Sequence, residues 1–343
     1  MTSPLILLGT PRRATPRPFL WGYHGRHLSG QHNQKTHGDG GGGSHTGISR
    51  GSDKVWKDSD GQPLPAAEQT RLNDLKVPPA WKDVSLSRDP NADLQATGLD
   101  SKGRKQYLYS TAHSERQAAK KFERLKEFDS ALPALRERIS ADAVNSKSPH
   151  HEAASVLSLV DKTGFRIGSD SETGAKVKAF GASTLEARHI QVDKNNNVTF
   201  NFVGKKGVTI TKQISDPDLA QNLRTRLQGA APTDRVFNVS DSQVRDYMHS
   251  IGGADFKVKD FRTWNGTSTA IKEIQRMPIP KTDTEYKRSV HSVAVKVAAH
   301  LGNTPTIALS AYIDPSVFSP WKQRSMSTVT RTLLWGYTAA AYR

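Results

Sequence analysis

The chain has 343 residues, 35% of them hydrophobic, and no cysteine, so disulfides, thiolate metal sites and cysteine nucleophiles are excluded. No stretch approaches the roughly 18 apolar residues of a membrane-crossing helix, and the N-terminal run LILLG is too short for a signal-peptide core, so a soluble, intracellular protein is expected. The formal net charge of +16 points to a polyanionic partner.

Residues 1–53 read as a disordered, basic, His/Gly-rich tail, with six Lys/Arg against Asp39 and Asp53, five of the twelve histidines and the linker GDGGGGSHTG. His27, His32 and His37 are spaced five apart, but without cysteine or acidic partners in a Gly-rich tail they are not read as a metal site. Residues 54–111 read as a β-rich domain. In it, LKVPPAWKDV carries Pro78 and Pro79 at a strand edge, and LQATGLDSKGRKQYLYS pairs two strands through a basic glycine turn.

Residues 112–320 read as a mainly helical domain. A long polar helix is predicted from about His113 to Arg138, with Phe122, Leu125 and Phe128 on one face. The apolar helix HEAASVLSLVDK stops at Thr163 and Gly164. Three alternating strands, RHIQVD, VTFNFVG and VTITKQI, follow as a meander joined by KNNN and KKG. After Asp216 and Pro217 the pattern is helical. Residues 321–343 form a second basic tail with four Lys/Arg and no acid. The two tails carry +4 each, which leaves +8 on the part expected to fold. The fold class is thus α+β, a small antiparallel β domain followed by helices around a three-stranded sheet.

Five positions in this order suit phosphodiester chemistry: Arg166 past a helix end, Lys205 or Lys206 in a hairpin turn, Arg262 in VKDFRTWNGT, Asn303, and Tyr312 nine residues after it. A phenol of pKa about 10 becomes a nucleophile where a positive field favours phenolate. Guanidinium forks can clamp the non-bridging oxygens, and a lysine can protonate the departing sugar oxygen. Taken singly, each has an ordinary reading: a capping arginine, solubility lysines, a core tyrosine. Their joint order carries the inference.

The series VPPAW, LQATGLDSKGRKQY, TGFRIGSD, FGASTL, FVGKKGV, KDFRTWNGT and LGNTPTIALSAYIDP resembles the type IB DNA topoisomerases of the bacterial and poxvirus kind, from about residue 75 to 320. The resemblance implies a C-shaped clamp on duplex DNA. It also implies relaxation of supercoils through a 3′-phosphotyrosyl intermediate and religation, without ATP, metal or other cofactor. It matches Tyr312 to the nucleophile, Arg166 and Arg262 to the two arginines and Lys205 to the general acid, with Lys206 as the neighbour that could replace it. Many members have His where this chain has Asn303, whose amide can donate a hydrogen bond but carries no charge. His300, one turn earlier, is read as an ordinary helix-end histidine.

Expected DNA contacts are Lys102, Arg104 and Lys105 to phosphates, and Gln95, Gln106 and Tyr107 to base edges or sugars. A tyrosine recombinase or integrase is the rival reading, weakened because Lys259 stands three residues before Arg262, where recombinases usually have His. A non-catalytic DNA clamp is the other. The expected enzyme is a monomer in the cytoplasm, associated with the nucleoid. The first tail resembles short tails on phage-encoded proteins, which leaves open a phage-encoded enzyme acting in its host's cytoplasm.

Overall fold

The computed structural model describes residues 44–321 apart from 88, 171–176 and 254. The three evenly spaced histidines and the second tail beyond Trp321 lie outside the described residues. The chain divides into two compact units between Gln117 and Ala118.

In the first unit, five antiparallel strands are ordered β2-β1-β3-β4-β5. They are β1 (Ser44–Arg50), β2 (Trp56–Lys57), β3 (Lys82–Ser87), β4 (Leu94–Leu99) and β5 (Lys105–Tyr109). Helix α1 (Ala66–Asp74) lies between β2 and β3 in the chain. It is tied to the sheet by Gln69, which accepts from Trp56 N (2.9 Å) and donates to Trp56 O (2.6 Å). Ile48, Trp56, Leu72, Trp81, Leu86 and Leu108 are buried in one cluster. Strand β1 corrects the expectation that disorder extends to residue 53. It pairs with β3, with Ile48 opposite Val84, across a bulge. One buried isoleucine beside Gly47, which has φ of +74°, leaves no alternation for a sequence pattern to register.

Helix α2 (Thr111–Val144) starts in the first unit and continues into the second. It is longer than predicted, running six residues past Arg138. Pro133 lies within it, and Phe122, Leu125, Phe128, Leu132, Leu135 and Ile139 form its buried stripe. Helix α3 (His151–Thr163) buries eight of its thirteen residues and contributes six of them to the second unit's hydrophobic core. The predicted meander is present as β6 (Ile190–Val192), β7 (Asn197–Val203) and β8 (Thr209–Ser215).

Helices α4 (Pro217–Leu227), α5 (Asp241–Gly252), α6 (Val258–Arg276), α7 (Asp283–Leu301) and α8 (Pro305–Ala311) complete the unit. Four of these five starts are legible in side chains: Asp216, Ser240, Thr282 and Thr304 each accept from a backbone N–H of the first turn. The architecture is α+β, as the sequence predicts. No helix among the described residues is long and apolar enough to cross a membrane.

Candidate active site

Arg166 is delivered by the end of α3. Gly164 takes the left-handed conformation (φ 68°) and its N–H bonds Val160 O, which stops the helix. Phe165 then turns inward, edge-on to Phe200 and Phe202 at 5.2 and 5.0 Å. The following backbone is gripped by FGAST: Ala182 N donates to Arg166 O (2.8 Å) and Ser183 N to Ile167 O (2.7 Å). A Cβ on Gly181 would come within 2.6 Å of Arg166 O, so a side chain there would push the arginine's backbone away.

Arg262 projects from α6 and is buried (3% exposed). One terminal nitrogen donates to Gly164 O and the other to Leu301 O at 3.0 Å. Arg166 Nη1 reaches Gly302 O at 3.4 Å. The acceptors are the closing carbonyls of α3 and α7, where each helix presents partial negative charge. Among the described residues no carboxylate pairs with either arginine. Carbonyls fix the two guanidinium groups without cancelling their charge. Arg262 Nε is buried without a hydrogen-bond partner among the described residues, which leaves a donor unspent.

The turn Gly302–Thr304 closes one helix and opens the next. Gly302 (φ 61°) and Asn303 both donate their N–H to Ala298 O, while Thr304 caps α8 through Ile307 N and Pro305 starts it. Both polar atoms of the Asn303 side chain are buried and have no partner among the described residues. Such groups are rare in folded proteins and mark a place a ligand can satisfy.

Tyr312 stands at the end of α8 with the Arg262 guanidinium 5.0 Å from its ring centre. Its backbone is clamped by α6. Thr267 Oγ1 donates to Tyr312 O (3.2 Å) and accepts from Asp314 N (3.1 Å). A Cβ on Gly266 would come 2.6 Å from Tyr312 O. From α2, Lys121 Nζ donates to Ala311 O at 3.1 Å. Burial pushes the phenol's pKa up, but the charges of Arg262, Arg166 and Lys259 outweigh it and hold the pKa below its ordinary value. The structure therefore brings Arg166, Arg262, Asn303 and Tyr312 to one place, with the tyrosine biased toward its anion.

Residues 107–325 match the family model described as "Eukaryotic DNA topoisomerase I, catalytic core", and residues 55–100 match "Bacterial DNA topoisomerase IB, N-terminal domain". The chain belongs to the type IB DNA topoisomerases. It is 29% identical over 262 residues to a DNA topoisomerase 1B of Acanthamoeba polyphaga mimivirus, which covers 71% of this chain and 76% of that protein. It is 23% identical to DNA topoisomerase 1B of vaccinia virus (strain Copenhagen), over 77% of this chain and 82% of that one. It is also 23% identical to DNA topoisomerase 1 of Caenorhabditis elegans, over 64% of this chain but only 30% of that longer protein. Membership makes the chain a DNA-binding isomerase.

In this topoisomerase Lys205 and Lys206 are both exposed in the β7–β8 turn, and Lys206 is held in a left-handed conformation (φ 67°). Ile210 fixes the turn's position: Cβ positions at Gly204 and Gly302 would lie 2.7 and 3.1 Å from it. The hairpin therefore rests on the same turn that carries Asn303.

In the first unit, Lys105 and Tyr107 share one face of β5, with the lysine 5.8 Å from the tyrosine ring centre. Lys102 is exposed in the turn before them. Arg104 is paired with Asp100 at 2.6 Å, and Gln106 donates to the same carboxylate at 3.1 Å. Gln95 corrects the expected DNA-facing set. It is buried (3% exposed), donating to Pro90 O and Ala92 O and accepting from Arg71 at 2.6 Å. Leu94 pairs with Tyr109 and Ala96 with Leu108, so Gln95 is the extra residue of a bulge and turns inward.

Sequence reasoning passed over Lys121, Gly266, Thr267 and Lys212. Only Lys212 carried a local signal, a lysine at an inward position of the alternating strand VTITKQI. The other three act on backbone atoms of distant residues, which no local pattern displays.

Proposed function

We propose that the chain relaxes supercoiled duplex DNA by cutting and resealing one strand, with Tyr312 as nucleophile. Its Oη forms a bond to the scissile phosphorus as the bond to the 5′ oxygen breaks. The phenolic proton passes to solvent, and Lys205 gives a proton to the departing oxygen. Arg166, Arg262 and the Asn303 amide bind the non-bridging oxygens as charge grows on them. The phosphotyrosine keeps the bond energy, so the freed hydroxyl can attack back and reseal the strand without ATP or metal.

The observation that carries this reading is the meeting of two carbonyl-held arginines and an unpartnered buried amide around a phenol of lowered pKa. Asn303 keeps a donor where charge develops, so it supports turnover without a fixed cation. Lys205 is favoured over Lys206 by its match to the family's general acid.

The two units are proposed to clasp the duplex as a C-shaped clamp, with Lys102, Arg104, Lys105, Gln106 and Tyr107 meeting phosphates and sugars from the first unit. The enzyme acts as a monomer in the cytoplasm, on nucleoid DNA. The test is relaxation of supercoiled plasmid in EDTA without ATP, comparing the native protein with Tyr312→Phe. Relaxation of both positive and negative supercoils by the native protein alone is expected. A folded, DNA-binding native protein that relaxes neither would overturn the reading.

A further inference from the structure

Strand β8 alternates, with Thr209, Thr211, Gln213 and Ser215 exposed and Ile210, Lys212 and Ile214 turned inward opposite β7, where Lys212 pairs with the buried Phe200. A lysine in an apolar slot loses hydration and needs a reason. Its Nζ donates to Thr163 O, at the end of α3, and to His300 O at 3.1 Å, at the end of α7. It also lies 3.4 Å from His300 Nδ1 and 3.5 Å from Nε2.

The neighbouring Asn265 bears on the His300 tautomer. Asn265 Nδ2 donates to Asp161 O (2.8 Å) and Phe261 O (3.0 Å), so its Oδ1 is the atom that faces His300 Nε2 at 3.4 Å. Nε2 is therefore the nitrogen placed to carry the ring proton. Lys212 Nζ, nearly equidistant from the two ring nitrogens, lies off the Nδ1 lone pair, so its hydrogen bonds go to the two helix-closing carbonyls, and an ammonium makes such bonds more strongly than a neutral amine.

We propose that the Lys212 ammonium is a positioning group for the phosphate site, tying the carboxyl ends of α3 and α7 together so that Arg166, Arg262 and Asn303 meet the scissile phosphate in register. The residues it joins are the immediate neighbours of those groups: Thr163 precedes the Gly164 carbonyl that holds Arg262, and His300 precedes the Leu301 and Gly302 carbonyls that hold Arg262 and Arg166. This inference rests on the phosphodiester chemistry proposed above.

The ammonium is poised to titrate. Burial, then the charge of Arg262 on α6, brings its pKa down to about 8. His300 on α7 is brought to about 4 by burial and by Lys212, Arg262 and Lys272, so it is a neutral neighbour at physiological pH. Above pH 8 the charge is lost, both carbonyl bonds weaken and the junction loosens.

The experiment is single-turnover formation of the covalent adduct on a saturating oligonucleotide duplex between pH 6.5 and 9.5. The native protein is compared with Lys212→Met and Lys212→Arg, each checked for folding and DNA affinity. The native rate is expected to fall about tenfold above pH 8 and converge on that of Lys212→Met. That variant is slow throughout, without the alkaline fall and with unchanged affinity. Lys212→Arg, which keeps its charge, is expected to regain activity at pH 9.

An unchanged rate in Lys212→Met overturns the proposal. So does an alkaline fall that persists in it, since the fall then belongs to another group, such as Lys121, whose pKa burial also lowers to about 8. Should Lys212→Met not fold, the lysine 13Cε signal absent from Lys212→Arg decides on the native protein. A midpoint near 8 that coincides with the rate loss supports the proposal, and a midpoint above 10 overturns it. No adduct with native protein at any pH would instead sink the phosphodiester reading itself.

Discussion

Arg104 of the first unit and the Arg166–Arg262 pair of the second are held in opposite ways. In the first, Arg104 is exposed and paired with Asp100, whose carboxyl it draws down to about 2. In the second, Arg262 is buried and held by the closing carbonyls of two helices, and Arg166 reaches a third carbonyl beside them. A carboxylate partner neutralises the cation and competes with an incoming phosphate. Helix-end carbonyls stabilise a nearby cation by about 0.3–1 kcal/mol, more when partly buried, yet leave its full charge to act on a ligand. The first arrangement suits contacts that form and break along a duplex, the second a charge that must be in place before the reaction starts.

The sharpest way to break this comparison is to keep the charge of Arg262 and remove its fork. Arg262→Lys has one ammonium for two carbonyls and a phosphate, so cleavage should fall about 10²–10³-fold in single-turnover assays. A near-native rate would mean that charge alone suffices.

Next comes Gly266→Ala. The added methyl must displace the Tyr312 backbone, and misplacement by about 1 Å is enough to cost roughly 10² in rate. DNA affinity should be unchanged, and a rate within twofold of native would show that the close approach of Gly266 does not set the tyrosine's position.

A third outcome concerns stability and pH. His300 has a folded pKa of about 4 against about 6.5 when unfolded, so between these values the unfolded chain binds the extra proton. The stabilisation is complete above pH 6.5 and is lost as pH falls toward 4. Urea midpoints measured across that window should fall less steeply in His300→Gln. Equal slopes would contradict the assignment of a neutral, buried imidazole.

The smallest effects belong to the first unit. Asp100→Asn should free Arg104 and tighten DNA binding at low salt, whereas Arg104→Ala should reduce the slope of log K against log salt by about 1. A cleavage rate that changes with either at saturating DNA would blur the division between the two arrangements.

These details differ in how far the sequence shows them. Helix ends and turns are local, so the Gly164 stop, the turn at Gly302–Thr304 and the β7–β8 hairpin are legible from a few residues each. The proposed chemistry rests on Arg166, Lys205, Arg262, Asn303 and Tyr312 being unusual together in that order. The inward turn of Gln95 is hidden because a bulge shifts the alternation by one. Strand β1 is hidden because one isoleucine makes its contact with the core. The grip of Gly266 and Thr267 on Tyr312 joins residues more than forty positions apart, and distance in the chain conceals it.

The most direct test of the central claim is to trap the adduct. The native protein is reacted with end-labelled duplex DNA, denatured and digested, and the labelled peptide is sequenced. The account predicts label on the peptide containing Tyr312 and none after Tyr312→Phe. Label on another tyrosine, such as Tyr286, or label that survives Tyr312→Phe, would contradict it.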